Sequence, residues 1–231
     1  MNLELIDLVT GYGPGRVVTR CSFSLMGGGI TAVVGPNGAG KTTLFRTILG
    51  LLPPLGGKVL IDGLRPREYV RRHGLGYLPE VLELPDHWSG AGLLARLRAA
   101  VNGVSGTQVA EAAERSAIDF DLDRPLGELS KGMRRRVGLL LALLPPPALL
   151  LLDEPEAGLD PAQRLRVREN LRTLADGGVQ VIVATHDVTG IGAIADRAFL
   201  VQRGAATAVQ AGDLADPARV LALFAAEEEA S

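Results

Sequence analysis

The chain has 231 residues, 47% of them hydrophobic, and a formal charge of −2 at neutral pH. That is enough apolar material for a sizeable core, and too even a charge balance for a disordered chain or a nucleic-acid-binding surface. Its one cysteine, Cys21, reads as a small core residue and excludes an intramolecular disulfide or a cysteine-rich metal site.

Residues 3–9 and 17–25 alternate as strands do around a glycine-rich turn at 11–15, which predicts a small antiparallel sheet. Met1 to Leu5 show no basic segment followed by an apolar one, so no signal peptide is expected and the cytoplasm is the default compartment. Tyr12 lies in the turn, where its ring can stack on a nucleotide base or pack on neighbouring chain.

An apolar run over residues 30–34 enters Gly35-Pro36-Asn37-Gly38-Ala39-Gly40-Lys41-Thr42-Thr43, and residues 44–50 leave it as a helix. A strand, a G-x4-G-K-T loop and a helix in this order make a phosphate-binding loop. Glycines let backbone N–H groups turn inward as donors to phosphate oxygens, and the helix points its positive dipole end at the same anion. Lys41 is expected to reach the β- and γ-phosphates and the Thr42 hydroxyl to take a place around Mg²⁺. The motif alone implies a nucleoside triphosphate and Mg²⁺.

Residues 58–61 read as a short strand and Asp62-Gly63 as a turn, while Arg65, Arg67, Arg71 and Arg72 read as a solvated basic face. Residues 75–80 look like the end of a strand that delivers Glu80 as the chain leaves the sheet. Two helices follow, over 91–101 and 107–118, as a mostly helical insertion with Trp88 at its entrance. Leu129-Ser130-Lys131-Gly132-Met133 precedes an apolar helix expected over 137–144. Ser130 can cap that helix or present its hydroxyl and free N–H groups to an anion; Arg134, Arg135 and Arg136 read as a solvated helix face. Pro145-Pro146-Pro147 interrupts the most apolar stretch, leaving neither flank near the roughly 20 residues of a spanning helix.

Leu149 to Leu152 form a continuously apolar strand ending in Asp153-Glu154, at the sheet edge where α/β proteins place ligands. Asp153 is expected to hold Mg²⁺ directly or through water, and Glu154 to orient or deprotonate the attacking water. A tight turn over 155–161 leads to a helix over 162–174, and a strand over 179–184 ends at Thr185-His186-Asp187. An imidazole at that edge can donate to a γ-phosphate and sense its loss. A hairpin around Gly204, a terminal helix over 213–225 and a solvated acidic tail, Glu227-Glu228-Glu229, complete the reading.

In this order the motifs resemble the nucleotide-binding subunits of ABC transporters, from Tyr12 to about Gly212. The resemblance implies an α/β P-loop NTPase fold: a RecA-like core with an N-terminal antiparallel β subdomain and an α-helical subdomain inserted at about 81–145, all one ABC ATPase domain over 1–231. By position, Tyr12 matches the base-stacking aromatic and Gly35 to Thr43 the Walker A loop. Glu80 stands where the family's Q-loop glutamine usually stands, and is read as a third oxygen ligand beside Thr42 and Asp153. Leu129 to Met133 match the signature loop, Asp153 and Glu154 the Walker B pair, Gly158 to Asp160 the D-loop, and His186 the switch histidine, giving Glu154 and His186 as the catalytic residues. Lys131 and Met133 replace a glycine and a glutamine of the signature, whereas Ser130 and Gly132 remain.

The family implies a Mg-dependent ATPase with ATP and Mg²⁺ as cofactors. It also implies a head-to-tail homodimer, with each ATP held between Walker A of one copy and Ser130 and Gly132 of the other. Both signature departures and Glu80 look like those of ATPase subunits paired with a separate transmembrane permease in drug, antibiotic or lipid-type exporters. Such a subunit sits on the cytoplasmic face of the membrane and binds no nucleic acid. An importer subunit shares this nucleotide chemistry and stays open; a P-loop kinase explains neither signature nor D-loop. A non-transport ABC ATPase would bring a second cassette or a long coiled-coil insertion, and the compact stretch between Lys41 and Ser130 holds neither.

Overall fold

The computed structural model describes residues 1–13, 17–101 and 103–225. Nine strands form one sheet among these residues: β1 (Asn2–Gly11), β2 (Val17–Met26), β3 (Gly29–Val34), β4 (Gly56–Ile61), β5 (Gly76–Leu78), β6 (Leu149–Asp153), β7 (Gln180–Thr185), β8 (Arg197–Gln202) and β9 (Ala205–Val209). Their order across the sheet is β4-β1-β2-β9-β8-β3-β7-β6-β5. The block β5, β6, β7, β3 and β8 is parallel, whereas β4, β1 and β2 pair antiparallel, as do β8 and β9.

The expected N-terminal antiparallel strands are therefore present, but not as a separate sheet. Arg20 of β2 pairs with Ala205 of β9, and the Arg20 N–H donates to the Gly204 carbonyl at 2.7 Å, which joins the two blocks edge to edge. This pairing covers what would otherwise be two exposed strand edges. Part of the glycine-rich turn at 11–15 lies outside the described residues.

The parallel strands are apolar on both sides because both faces are covered. In β6 every residue is buried, with Leu150 and Leu152 in the core on one side of the sheet and Leu149 and Leu151 in the core on the other. The same alternation divides Val181 and Val183 from Ile182 in β7. Each buried leucine of this kind contributes about 1.5–3 kcal/mol. The parallel arrangement also brings the C-terminal ends of β3, β6 and β7, with the loops that follow them, to one edge.

Helix α1 (Lys41–Ile48) follows β3 directly, and Pro66 starts α2 (Pro66–His73), a helix the sequence reading had only as a basic face. Its arginines are indeed exposed, and Tyr69 is its buried anchor. Helices α3 (Gly90–Ala100) and α4 (Gly106–Arg115) occur where helices were expected, each capped by a serine, Ser89 and Ser105. Trp88 is half-buried against the Leu126, Leu129 and Val137 cluster, with the Arg96 guanidinium 3.9 Å from its ring centre.

Helix α5 (Lys131–Ala142) corrects the sequence reading twice. It begins six residues before Val137, because the Ser130 hydroxyl caps it by accepting from the Met133 N–H at 3.2 Å. Arg135 and Arg136 are each only 4% exposed, so the triple-arginine stretch is not a solvated face. Helices α6 (Pro161–Asp176) and α7 (Val188–Gly192) follow β6 and β7. The terminal helix, expected from 213, is divided: a short 3-10 turn spans Ala211–Ala215, and Pro217 opens α8 (Pro217–Ala225). Pro217 has no N–H to continue the earlier turn, but suits the first position of a new helix.

Candidate functional site

The loop between β3 and α1 is shaped by two glycines that no other residue can replace. A Cβ on Gly35 would stand 2.1 Å from the Val201 carbonyl oxygen, and Gly40 has φ +112° with β2 side chains 2.4–2.5 Å from where its Cβ would be. The loop thus packs closely on the neighbouring strands and runs straight into the uncapped N-terminus of α1, whose first amides have no acceptor within the helix. Lys41 runs back beneath it, 7% exposed, and its ammonium donates to the carbonyls of Gly35 at 2.8 Å and Pro36 at 3.1 Å. Burial pushes this ammonium below its usual range, opposed by the carboxylates of Glu154, Asp153 and Glu80.

One cavity at the sheet edge is lined by Asn37, Gly38, Gly40, Lys41, Thr42, Thr43, Glu80, Asp153 and Glu154. Thr42 donates its hydroxyl to Asp153 Oδ2 at 2.6 Å and stands 3.5 Å from Glu80 Oε2. Asp153 Oδ1 is buried without a partner. Burial raises the Asp153 carboxyl above the usual carboxylate range, helped by Glu80 and Glu154 and opposed by Thr42 and Lys41. A hydroxyl and two carboxylates, one of them with an orphaned buried oxygen, are a hard-oxygen donor set, which fits a small divalent cation such as Mg²⁺.

Glu154 leaves β6 with φ +52°, a conformation side chains rarely adopt and which concentrates at functional sites. Its N–H donates to the Ala184 carbonyl at 2.8 Å, keeping the turn tied to β7. The carboxylate accepts from the Thr185 hydroxyl at 3.0 Å and the His186 N–H at 2.9 Å, and lies 2.8 Å from His186 Nδ1. The strands β6 and β7 thus deliver the carboxylate and the imidazole as a bonded pair beside the phosphate loop.

Tyr12 is 53% exposed, and its hydroxyl accepts from Arg46 at 3.1 Å and from Thr43 at 3.5 Å. The hydroxyl thus ties Tyr12 to α1, while about half of the residue stays open to solvent.

Sequence comparison then decides the family, because the ABC transporter profile matches residues 18–157, more than half of the chain. The chain belongs to the ABC transporter family. The lipopolysaccharide export system ATP-binding protein LptB of Escherichia coli K12 is 33% identical over 206 residues, covering 86% of either chain. The Nod factor export ATP-binding protein I of Sinorhizobium fredii is 34% identical over 212 residues, 87% of this chain and 60% of that longer one. Among solved structures, an ATP binding subunit of an ABC transporter superposes with a TM-score of 0.78 at 26% identity, over 89% of this chain and 88% of that one. The chain is accordingly a P-loop ATPase of the ABC family, and ATP is its nucleotide.

Not every residue matched to the family's motifs meets at the cavity. Tyr12, Ser130, Gly132, Asp160 and His186 are absent from its lining, as are Gly35, Pro36 and Ala39 of the loop. Ser130 caps α5, and Asp160 caps α6 in a reciprocal box with Gln163. Gly132 is buried where a Cβ would stand 2.6 Å from the Gly158 carbonyl, so the signature and the D-loop pack on each other within one chain.

Sequence reasoning missed Arg135. Its guanidinium donates to the carbonyls of Pro79, of Glu80 at 3.0 Å, and of Asp153, gripping the backbone beside two cavity carboxylates. Gly132, Arg135, Arg136, Leu139 and Leu140 recur at the spacing of one buried helix stripe, and that periodicity was the available signal.

Proposed function

We propose that this chain is the ATP-hydrolysing subunit that powers export through a separate membrane permease. The convergence of Lys41, Thr42, Glu80, Asp153 and Glu154 on one cavity carries the hydrolytic part of this reading. The export part is supported by the two relatives, whose names assign them to export systems. No helix among the described residues is long and apolar enough to cross a membrane, which fits a subunit that reaches the membrane through a partner.

In this mechanism the amides of the loop from Gly35 to Thr43 and the Lys41 ammonium bind the phosphates, while Tyr12 stacks on the base. Thr42, Asp153 and Glu80 are the residues that would hold Mg²⁺, which when bound neutralises charge on the β- and γ-phosphates. Glu154 orients the attacking water and accepts its proton. His186 holds Glu154 through the contact already present and leaves its other ring nitrogen to face the γ-phosphate. Ser130 is exposed and does not line its own chain's cavity, and in this reading it and the backbone at Gly132 close the cavity of a second copy, head to tail.

Glu154→Gln keeps the shape of the side chain and removes the base, so this variant binds Mg-ATP, stops hydrolysing it and accumulates as a closed dimer. Sedimentation with saturating Mg-ATP reads the dimer, and a monomer there counts against the sandwich. Recovery of the same tagged variant from solubilised native membranes should bring a multi-span protein in fixed stoichiometry. Recovery of ribosomal or DNA-repair proteins alone would overturn the transport reading.

A further inference from the structure

Two arginines one turn apart on α6 grip the loops that carry the hydrolytic pair. Arg168 makes a two-pronged contact with Glu156, Nε to Oε1 at 2.7 Å and Nη2 to Oε2 at 2.5 Å, and its Nη2 also donates to Asp187 Oδ2 at 3.3 Å. Arg164 donates to that same Asp187 oxygen at 3.3 Å and to the Leu159 carbonyl at 3.1 Å. Glu156 follows Glu154 by two residues, and Asp187 follows His186 by one. The bonds continue inward: the Asp187 N–H donates to Thr185 Oγ1 at 3.0 Å, and that hydroxyl donates to Glu154 Oε2 at 3.0 Å. The pair is also largely withdrawn from water, with the Glu156 side chain 13% and the Arg168 side chain 20% exposed.

The backbone makes room for this contact. A Cβ on Gly190, in α7, would stand 1.9 Å from Arg168 Nη2. Any side chain there would displace the guanidinium.

We propose that Arg168, clamped on Glu156 and Asp187 and seated against Gly190, is a positioning residue that holds Glu154 and His186 in register for hydrolysis. A planar fork suits this task because it fixes direction as well as charge. The contact braces the loop after β6 against the loop after β7 from behind, without itself lining the nucleotide cavity. The inference rests on the roles given above to Glu154 and His186.

The test uses the purified full chain, measuring Mg-ATP turnover and ATP affinity separately for Arg168→Met, Glu156→Gln and Gly190→Ala. Each is expected to lower kcat by about tenfold or more while ATP affinity stays within about twofold, since a small misplacement of reacting groups acts on turnover. Arg168→Lys restores charge without the fork and should recover part of the loss. Glu156→Gln added to Arg168→Met should cost little more than either alone, because both break one contact. Gly190→Ala removes no charge and retains helix propensity, so it tests the brace even if Arg168→Met folds poorly. Unchanged kcat in Gly190→Ala, additive losses in the double variant, or a parallel fall of affinity and kcat would each overturn the brace. Should Glu154→Gln hydrolyse normally, the reading of the site fails instead; should it be inactive while Arg168→Met turns over normally, only the brace fails.

Discussion

Arg135 and Arg136 are neighbours on one helix and answer burial differently. Arg136 donates to Asp119 at 2.6 Å and to the Ala117 carbonyl, and lies over the Phe120 ring. Arg135 has no side-chain acid as a direct partner and spends its donors on carbonyl oxygens; the Nε of each arginine is buried without a partner. Burial accordingly lowers the pKa of Arg135, and the nearby Asp153, Glu154 and Glu80 pull it back up. Arg135→Met strands the buried Asp153 carbonyl, at about 1–3 kcal/mol, and loses two part-buried bonds to Pro79 and Glu80, so its urea midpoint should fall below that of the parent. A midpoint within error of the parent would show that the carbonyls find other donors. Lys41→Ala removes the phosphate-facing cation and should abolish detectable ATP binding, read by fluorescence of a nucleotide analogue. The sequence exposed Lys41, Thr42, Asp153 and Glu154 because each stands in a motif with fixed spacing. Arg135 and Arg168 stand in none, since their partners are backbone carbonyls or acids on other loops that only the fold brings near.

At the scale of elements, the β6 strand and its neighbours were legible because a fully apolar run ending in carboxylates has few other readings. Leu151→Ala should cost about 2–5 kcal/mol by removing buried methyl groups between β6 and α1, with an unchanged denaturant slope. Less legible were the starts of α5 and α8, where a capping hydroxyl in one and a proline in the other set the boundary more locally than hydrophobic pattern does. The edge join between β2 and β9 left no sequence signal, being a backbone pairing between segments far apart in the chain. Asp196 pins the start of β3, accepting from the Ile30 N–H at 2.7 Å and from Arg172 at 2.8 Å. Desolvation raises its carboxyl, but these donors prevail and hold it below the usual carboxylate range. A depressed folded pKa contributes stability above the unfolded value that is lost as pH falls through the folded one. The stability gap between wild type and Asp196→Asn should therefore be widest at neutral pH and close in acid, as thermal unfolding across that range would read. A gap that is constant with pH would mean that the Asp196 charge plays no part.

Over the whole molecule, the separation of Ser130 and Gly132 from their own cavity has a consequence for mixtures. If each ATP lies between Lys41 of one copy and Ser130 of the other, a heterodimer of Lys41→Ala and Ser130→Arg chains carries both defects in one site and none in the other. Each variant alone should be inactive, and their mixture should regain up to about a quarter of parental turnover if pairing is random and the two sites act independently. A mixture as inactive as its parts would place both residues in the same site or couple the sites strictly.

The Lys41 ammonium offers a last consequence. It is already held by the carbonyls of Gly35 and Pro36, so two of its three N–H donors are spent and one is left for an arriving phosphate. Nucleotide capture thus completes a shell that folding has already two-thirds built, and most of the dehydration of this cation precedes binding. Calorimetry should accordingly find only a modest heat from this contact.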